Sequence, residues 1–332
     1  GEIDRKEFTH NMKIGFATQI WVRDDHWENF PRMLDEMSLI GLDGFEMAPA
    51  YLIEKYEGHT KELRQLLDLH DLELASYYTG LTYHEPEARR RGIEEVKRRA
   101  RFVAELGYEN LLLDGARSRG EGLPPLEDHI AMVAETANAL GEYARSLGLS
   151  LSWHQHWGSI FEAPPAFDRL MALTDPDLLG FCPDVGQLAL CGFDVVETVR
   201  RYVDRVRFVH YKDVTIAGRP QGELWPGGPV APSDDGAYGV DSRGRWVELG
   251  RGMVDFPAIT EVLLAAGYDG WIVDDFDYTG YPARAAAQAC KDYINGALEI
   301  WGERDIRRGL AQGQVPMGKG SPPRPPRTEV RR

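Results

Sequence analysis

The chain has 332 residues, of which 43% are hydrophobic. That is enough for a large core, yet no apolar run reaches the roughly 18 residues a membrane helix needs. Acidic residues outnumber basic ones, 53 to 38, for a net charge of −15; such a surface repels nucleic acid and attracts multivalent cations. The three cysteines, Cys182, Cys191 and Cys290, have no paired spacing, which argues against a disulfide framework and for a reducing compartment. Without a signal-peptide pattern or membrane span, the expected location is the cytoplasm.

In chain order, residues 1–11 are a polar lead-in, expected to be flexible. Eight short apolar runs follow: Ile14–Ile20, Gly44–Met47, Leu72–Tyr77, Asn110–Leu113, Ser150–Trp153, Leu179–Cys182, Val206–Val209 and Gly270–Val273. Helical periodicity lies between most of them. In Ile93–Leu106 the residues Val96, Ala100, Val103 and Leu106 share one face. Ile130–Leu147 is a second helix, with Leu147-Gly148-Leu149 as its C-terminal stop. Strands alternating with helices eight times predict an α/β fold, a parallel (β/α)8 barrel over residues 12–305. Ile20-Trp21-Val22-Arg23 after the first strand has no glycine-rich phosphate loop, which counts against a dinucleotide-binding fold. Residues 214–249 form a long Gly- and Pro-rich connection after the seventh strand, placed at the mouth of the barrel. Residues 313–332, ending PPRPPRTEVRR, are expected to be disordered.

Chemistry in such a barrel sits at the C-terminal ends of the strands. The fifth ends in WHQHWG, the sixth in CPDVGQ, the seventh in FVHYKDV and the eighth in WIVDDFD. Alternation puts His154 and His156 on one face, His210 and Lys212 on one face, and Asp275 and Asp277 on one face, with Asp274 pointing away. Each residue alone has a plainer reading: a hydrogen-bonded histidine, or an aspartate capping a helix. Taken together, His154, Asp184, His210 and Asp275 offer two imidazoles and two carboxylates to one divalent cation. Mn²⁺ or Co²⁺ is the expected ion, with Zn²⁺ or Fe²⁺ as alternatives.

Three stretches carry a resemblance: IGFATQIWVRDD with GLDGFEMA; WHQHWGSIFEAPPAFDRLMALTDPDLLGFCPDVGQLALCGFD through VRFVHYKDV; and LGRGMVDFPAI with AAGYDGWIVDDFD. The chain resembles the sugar phosphate isomerase/epimerase superfamily of xylose isomerase-like barrels, and within it the inosose dehydratases. The resemblance implies a metal held at the ends of strands five to eight. Many relatives use Glu, Asp, His and Glu there; by position these fall on His154, Asp184, His210 and Asp275, so two of the four differ. Gln187 stands where a histidine that meets substrate is usual.

The implied substrate is a small polyhydroxy ketone. Loss of an α-proton gives an enediolate, and expulsion of a β-hydroxyl then gives dehydration. A keto-cyclitol or keto-sugar dehydratase is the first expectation, because His154 replaces the Glu that would form half of an acid–base pair in an epimerase. A ketose 3-epimerase or aldose–ketose isomerase is the second, and a non-catalytic or partner-dependent barrel subunit the third. Glu46, His156 and Lys212 are the candidate acids and bases, with Glu162 a further one. Trp21, Tyr78 and Trp157 are candidate walls for the sugar, and Gln187 and Asp277 candidate substrate contacts. No nucleic-acid or membrane partner is expected; a homo-oligomer is compatible with the sequence.

Overall fold

The computed structural model describes residues 11–22, 26–48, 50–118, 121–216, 244–277, 279 and 282–311. Seven strands come first: β1 (Asn11–Ala17), β2 (Gly44–Met47), β3 (Glu73–Leu81), β4 (Asn110–Gly115), β5 (Ser150–His154), β6 (Gly180–Cys182) and β7 (Val209–Tyr211). A hairpin of β8 (Asp213–Ile216) and β9 (Gly244–Val247) follows, then β10 (Trp271–Asp274) and the short β11 (Trp301–Gly302). The sheet runs β6-β5-β4-β3-β2-β1-β10-β7 with parallel neighbours. Parallel bridges Phe181–Val206 and Asp184–His210 close the gap between β6 and β7. The predicted eight-stranded barrel is therefore the observed fold, with β10 as its eighth barrel strand.

Element boundaries moved where apolar periodicity is silent. The first strand begins at Asn11 and stops at Ala17, because the Thr18 carbonyl accepts from the Trp21 and Val22 amides and starts a helical turn. The helix read from Ile93 begins at Pro86; its first turns are Arg- and Glu-rich and face solvent, and proline suits a first helical position. Its expected face, Val96, Ala100, Val103 and Leu106, is buried. Gly148 takes φ +76° after the helix Leu126–Ser146, the left-handed stop expected there. Of the 214–249 segment, the described part is the hairpin base and the return to Leu249; 217–243, the tail 313–332 and the lead-in through residue 10 lie outside the described residues. Among the described residues no helix is long and apolar enough to cross a membrane.

The barrel interior is filled in layers. Ala17, Ala75, Leu112, Cys182, Phe208, Trp271 and Val273 form one cluster inside it, separate from the larger cluster between sheet and helices. Two residues further along their strands, the inward positions turn polar: Leu112 gives way to Asp114, Cys182 to Asp184, Phe208 to His210 and Val273 to Asp275. The apolar floor thus sets the depth of a polar layer at the C-terminal end.

The opposite end is sealed. Asp43 accepts from the Ile14 amide at 2.8 Å and the Arg304 amide at 2.6 Å, and the Arg304 guanidinium donates to the Leu42 and Asp71 carbonyls. A cavity of about 220 Å³ lies at this end, lined by Asp43, Arg64, Glu73, Tyr108 and Arg307 among others. It is remote from the polar layer and belongs to the closure of the barrel.

Trp271 fills the floor because Gly15 and Gly44 leave room for it. A methyl on Gly44 would come within 2.3 Å of the Glu73 carbonyl oxygen and 2.8 Å of the Trp271 ring. Gly44→Ala is expected to lower stability by about 1–3 kcal/mol, the usual cost of overpacking. Urea unfolding should show a lower midpoint at unchanged slope; an unchanged midpoint would contradict this packing.

Candidate active site

Asp184 ends the β6 run and caps the next helix. Its Oδ1 accepts from the Gln187 amide at 2.9 Å, so the ordinary capping role holds. The other oxygen is left for the barrel axis, 3.3 Å from His154 Nε2 and 3.7 Å from His210 Nδ1. His210 Nδ1 lies also 3.7 Å from Asp275 Oδ2. One ligand atom from each of His154, Asp184, His210 and Asp275 lies within 4.8 Å of the others, and all four residues are buried. The four strand-end residues singled out in the sequence therefore converge.

Each imidazole is held from behind. His210 Nε2 donates to Glu46 Oε2 at 2.8 Å, and Ser76 Oγ donates to the same oxygen at 2.5 Å. The Tyr78 hydroxyl donates to Asp114 Oδ2 at 2.5 Å, so its oxygen can accept from His154 Nδ1 at 3.2 Å. Outer partners of this kind select the tautomer. His154 then presents Nε2 inward and His210 presents Nδ1, an atom that is buried and has no hydrogen-bond partner. An orphaned ring nitrogen facing two carboxylates fits a cation better than it fits a packed core. The residues present suit a divalent metal.

The electrostatics agree. Burial opposes charge on His210, but Glu46, Asp184 and Asp275 outweigh it and hold its proton affinity well above the ordinary histidine range. Burial would raise the Asp184 carboxyl, yet His154 and His210 pull it far below the usual range. The layer is an anionic pocket that requires a positive charge, whether proton or metal.

Lys212 enters from the end of β7. It is buried, and its Nζ donates to Asp275 Oδ2 at 2.9 Å and to Asp277. Burial disfavours the ammonium, but Asp275 and Asp277 more than compensate and keep it charged. Burial pushes the Asp277 carboxyl up to about 6, against the pull of Lys212. His156, just beyond β5, is half-buried, with its ring 5.8 Å from that of His154. Burial lowers its pKa below the ordinary 6.5 despite Asp114. Its Nδ1 meets the Trp157 carbonyl at 2.5 Å, leaving Nε2 as the free lone pair. Gln187 is buried; its Oε1 accepts from the Trp157 amide at 3.2 Å and its Nε2 has no partner.

Several expected roles change. Glu46 does not face the mouth as a free base: it is buried behind His210 and positions that ring. Tyr78 joins the site through its hydroxyl rather than as an apolar wall. Trp21 is a core residue, edge-on to Phe16 at 5.5 Å with its indole N–H on Glu36. Glu162 accepts from the Gly158 amide and braces that turn. Cys182 lies in the barrel floor, where burial raises its thiol well above the usual range. Asp274 points away from the axis, as alternation required, to a buried place near Cys290. Asp114 was not foreseen, although Leu111-Leu112-Leu113-Asp114 carries the same apolar-run-then-aspartate pattern as the later strands.

The profile of the xylose isomerase-like TIM barrel family matches residues 34–295. The inosose dehydratase of Lacticaseibacillus casei is 30% identical over 309 residues, covering 87% of this chain and 98% of that protein. That of Geobacillus thermodenitrificans is 28% identical, covering 80% of this chain and 89% of its own. Among solved structures, the probable 3-DHS dehydratase AsbF of Bacillus anthracis superposes with TM-score 0.68 at 15% identity, covering 86% of this chain and 99% of that one. The IOLI protein with a bound zinc atom gives 0.67 at 16% identity, covering 87% and 98%. This chain belongs to the xylose isomerase-like TIM barrel family. It is an enzyme of the dehydratase or isomerase/epimerase type.

Titration of the metal-free protein with Mn²⁺ or Co²⁺ is expected to show about one ion per chain. Asp184→Asn and His210→Ala should abolish uptake with unchanged far-UV circular dichroism. Tyr78→Phe and Glu46→Gln should weaken it by about 10–100-fold, the usual effect of outer partners. Because the surrounding carboxylates raise the proton affinity of His210, metal uptake should release a proton, seen as a buffer-dependent heat. Unaltered affinity in both Asp184→Asn and His210→Ala would remove the assignment.

Proposed function

We propose that this protein is a divalent-metal-dependent carbon–oxygen lyase that removes water from a keto-cyclitol or keto-sugar, in the manner named by its inosose dehydratase relatives. One observation carries the reading: two buried imidazoles, each braced from behind, turn their inner nitrogens toward Asp184 and Asp275 beside a charged Lys212. His154, Asp184, His210 and Asp275 would hold the ion, and their mixed nitrogen and oxygen donors suit Mn²⁺ or Co²⁺. When bound, such an ion supplies a Lewis acid for a carbonyl oxygen.

The chain's own residues divide the rest. His156 stays neutral near pH 7 and has Nε2 free, so it is the base that takes the α-proton. The C–H electron pair moves into the new carbon–carbon double bond as the β-carbon–oxygen bond breaks. Lys212 is charged, so it donates to the departing hydroxyl, which leaves as water; Lys212 then regains a proton from solvent as His156 releases to solvent the one it took. Gln187 offers its unpartnered Nε2 to a substrate oxygen, Asp277 accepts from a substrate hydroxyl, and Trp157 lies beside His156 at the mouth, where it can cover a sugar face. Epimerisation is less well served, because Glu46, the obvious second base, is committed to His210.

Incubation with Mn²⁺ and a panel of inososes, 3-keto-sugars and simple ketoses in deuterated water should give a product lighter by one water. Equal-mass product with one deuterium at an inverted carbon would make the enzyme an epimerase instead. The acidic limb of kcat/KM should fall as the pH drops through a value below 6.5, because protonating His156 removes the base. His156→Ala should lower kcat by about 10²–10⁴-fold. A flat profile down to pH 5 would exclude His156 from that role.

A further inference from the structure

We propose that Trp246 is a positioning residue that holds the Lys212 ammonium in place, and that the base of the β8–β9 hairpin is built to deliver it. The inference rests on the lyase reading for the use made of Lys212. The Lys212 Nζ lies 4.6 Å from the centroid of the Trp246 ring. Both side chains are buried. A lysine is a long, flexible point charge, and here it is shared by Asp275 and Asp277, one of which a bound cation would claim. Two carboxylates alone would let the ammonium follow whichever oxygen is more negative. An aromatic face attracts the charge without accepting its proton or adding another buried anion. The ring therefore fixes where the ammonium sits without itself accepting a hydrogen bond from it.

The delivery is specific. Val214 pairs with Trp246 across the antiparallel ribbon, which makes Lys212 the diagonal neighbour of Trp246 on the same face. Asp213 points to the other face. Its Oδ1 accepts from the Val214 and Val254 amides at 2.9 and 3.2 Å, and its Oδ2 from the Gly250 and Gly252 amides at 2.9 and 2.8 Å. The Met253 amide adds a bond to the Val214 carbonyl at 2.8 Å. A methyl on Gly252 would come within 2.2 Å of Asp213 Oδ1, so the chain closes on the carboxylate at a residue without one. Adjacent residues thus do paired work: Asp213 clamps the backbone of the 250–254 segment that follows β9, and β9, paired with β8, sets Trp246 over Lys212.

The test compares Trp246→Phe with Trp246→Leu in the full chain loaded with Mg²⁺ or Zn²⁺ for spectroscopy and Mn²⁺ for kinetics. In protein carrying ¹³C-labelled lysine, the Lys212 ε-methylene signal, assigned by its loss in Lys212→Arg, should be shifted upfield by the indole ring. The shift should persist in part in Trp246→Phe and vanish in Trp246→Leu. On a keto-cyclitol substrate, Trp246→Phe should keep kcat within about threefold and Trp246→Leu should lower it about tenfold, with KM and metal stoichiometry little changed. Trp246→Met replaces the leucine variant if that fails to fold. A Lys212 signal indifferent to residue 246, or equal losses of kcat in the phenylalanine and leucine variants, overturns the proposal. If no ketone is turned over by the unaltered enzyme, the lyase reading fails, while the Lys212 signal still decides whether Trp246 holds the ammonium.

Discussion

The rest of this structure depends on the cost of burying negative charge. Glu46, Asp114, Asp184 and Asp275 lie almost wholly buried at one end of a barrel. Unpaired, each would cost several kcal/mol or would take up a proton. The neighbouring groups answer that cost one by one. Ser76 and His210 donate to Glu46, Tyr78 to one oxygen of Asp114, the Gln187 amide to Asp184, and Lys212 to Asp275. The balance still leaves His210 Nδ1 and Asp114 Oδ1 without a partner. That shortfall suits the layer to a cation.

The barrel makes this concentration of charge bearable. Its floor of Trp271, Phe208, Cys182 and Val273 is apolar and buried, which bounds the polar layer from below. Closure also runs through the site: the Asp184–His210 bridge joins β6 to β7 where neighbouring strands pair only at isolated residues. Gly186 allows that approach, since a methyl there would come within 2.7 Å of the Lys212 carbonyl oxygen. The residues whose backbones close the barrel thus also bring their side chains to the candidate site.

Several residues carry two roles, which explains why plain and functional readings of the same residue coexist. Asp184 caps a helix with one oxygen and faces the axis with the other. Lys212 makes an ordinary salt bridge to Asp275 and is also the proton donor in the proposed reaction. Asp277 accepts from the same ammonium. Such economy is expected where few groups fit into a narrow barrel mouth and each must satisfy its own hydrogen bonds before it serves a substrate.

The sequence by itself determined the alternation of strands and helices and the four converging positions, His154, Asp184, His210 and Asp275. The reason is geometric. In a parallel barrel every strand end of one polarity meets at one face, and the two-residue period says which side chains turn inward. It did not determine the partners behind them. Glu46 reaches His210 across a separation of 164 residues, Tyr78 and Asp114 come from two further strands to serve His154, and Trp246 returns from the far side of a Gly- and Pro-rich excursion that carries no periodicity. Nor did it tell a wall from a core: Trp21 and Tyr78 are both aromatics near strand ends, yet one packs on Phe16 while the other bridges a carboxylate and an imidazole. Those choices depend on depth, register and closure between strands distant in the chain, which local pattern does not encode and only the closed barrel decides.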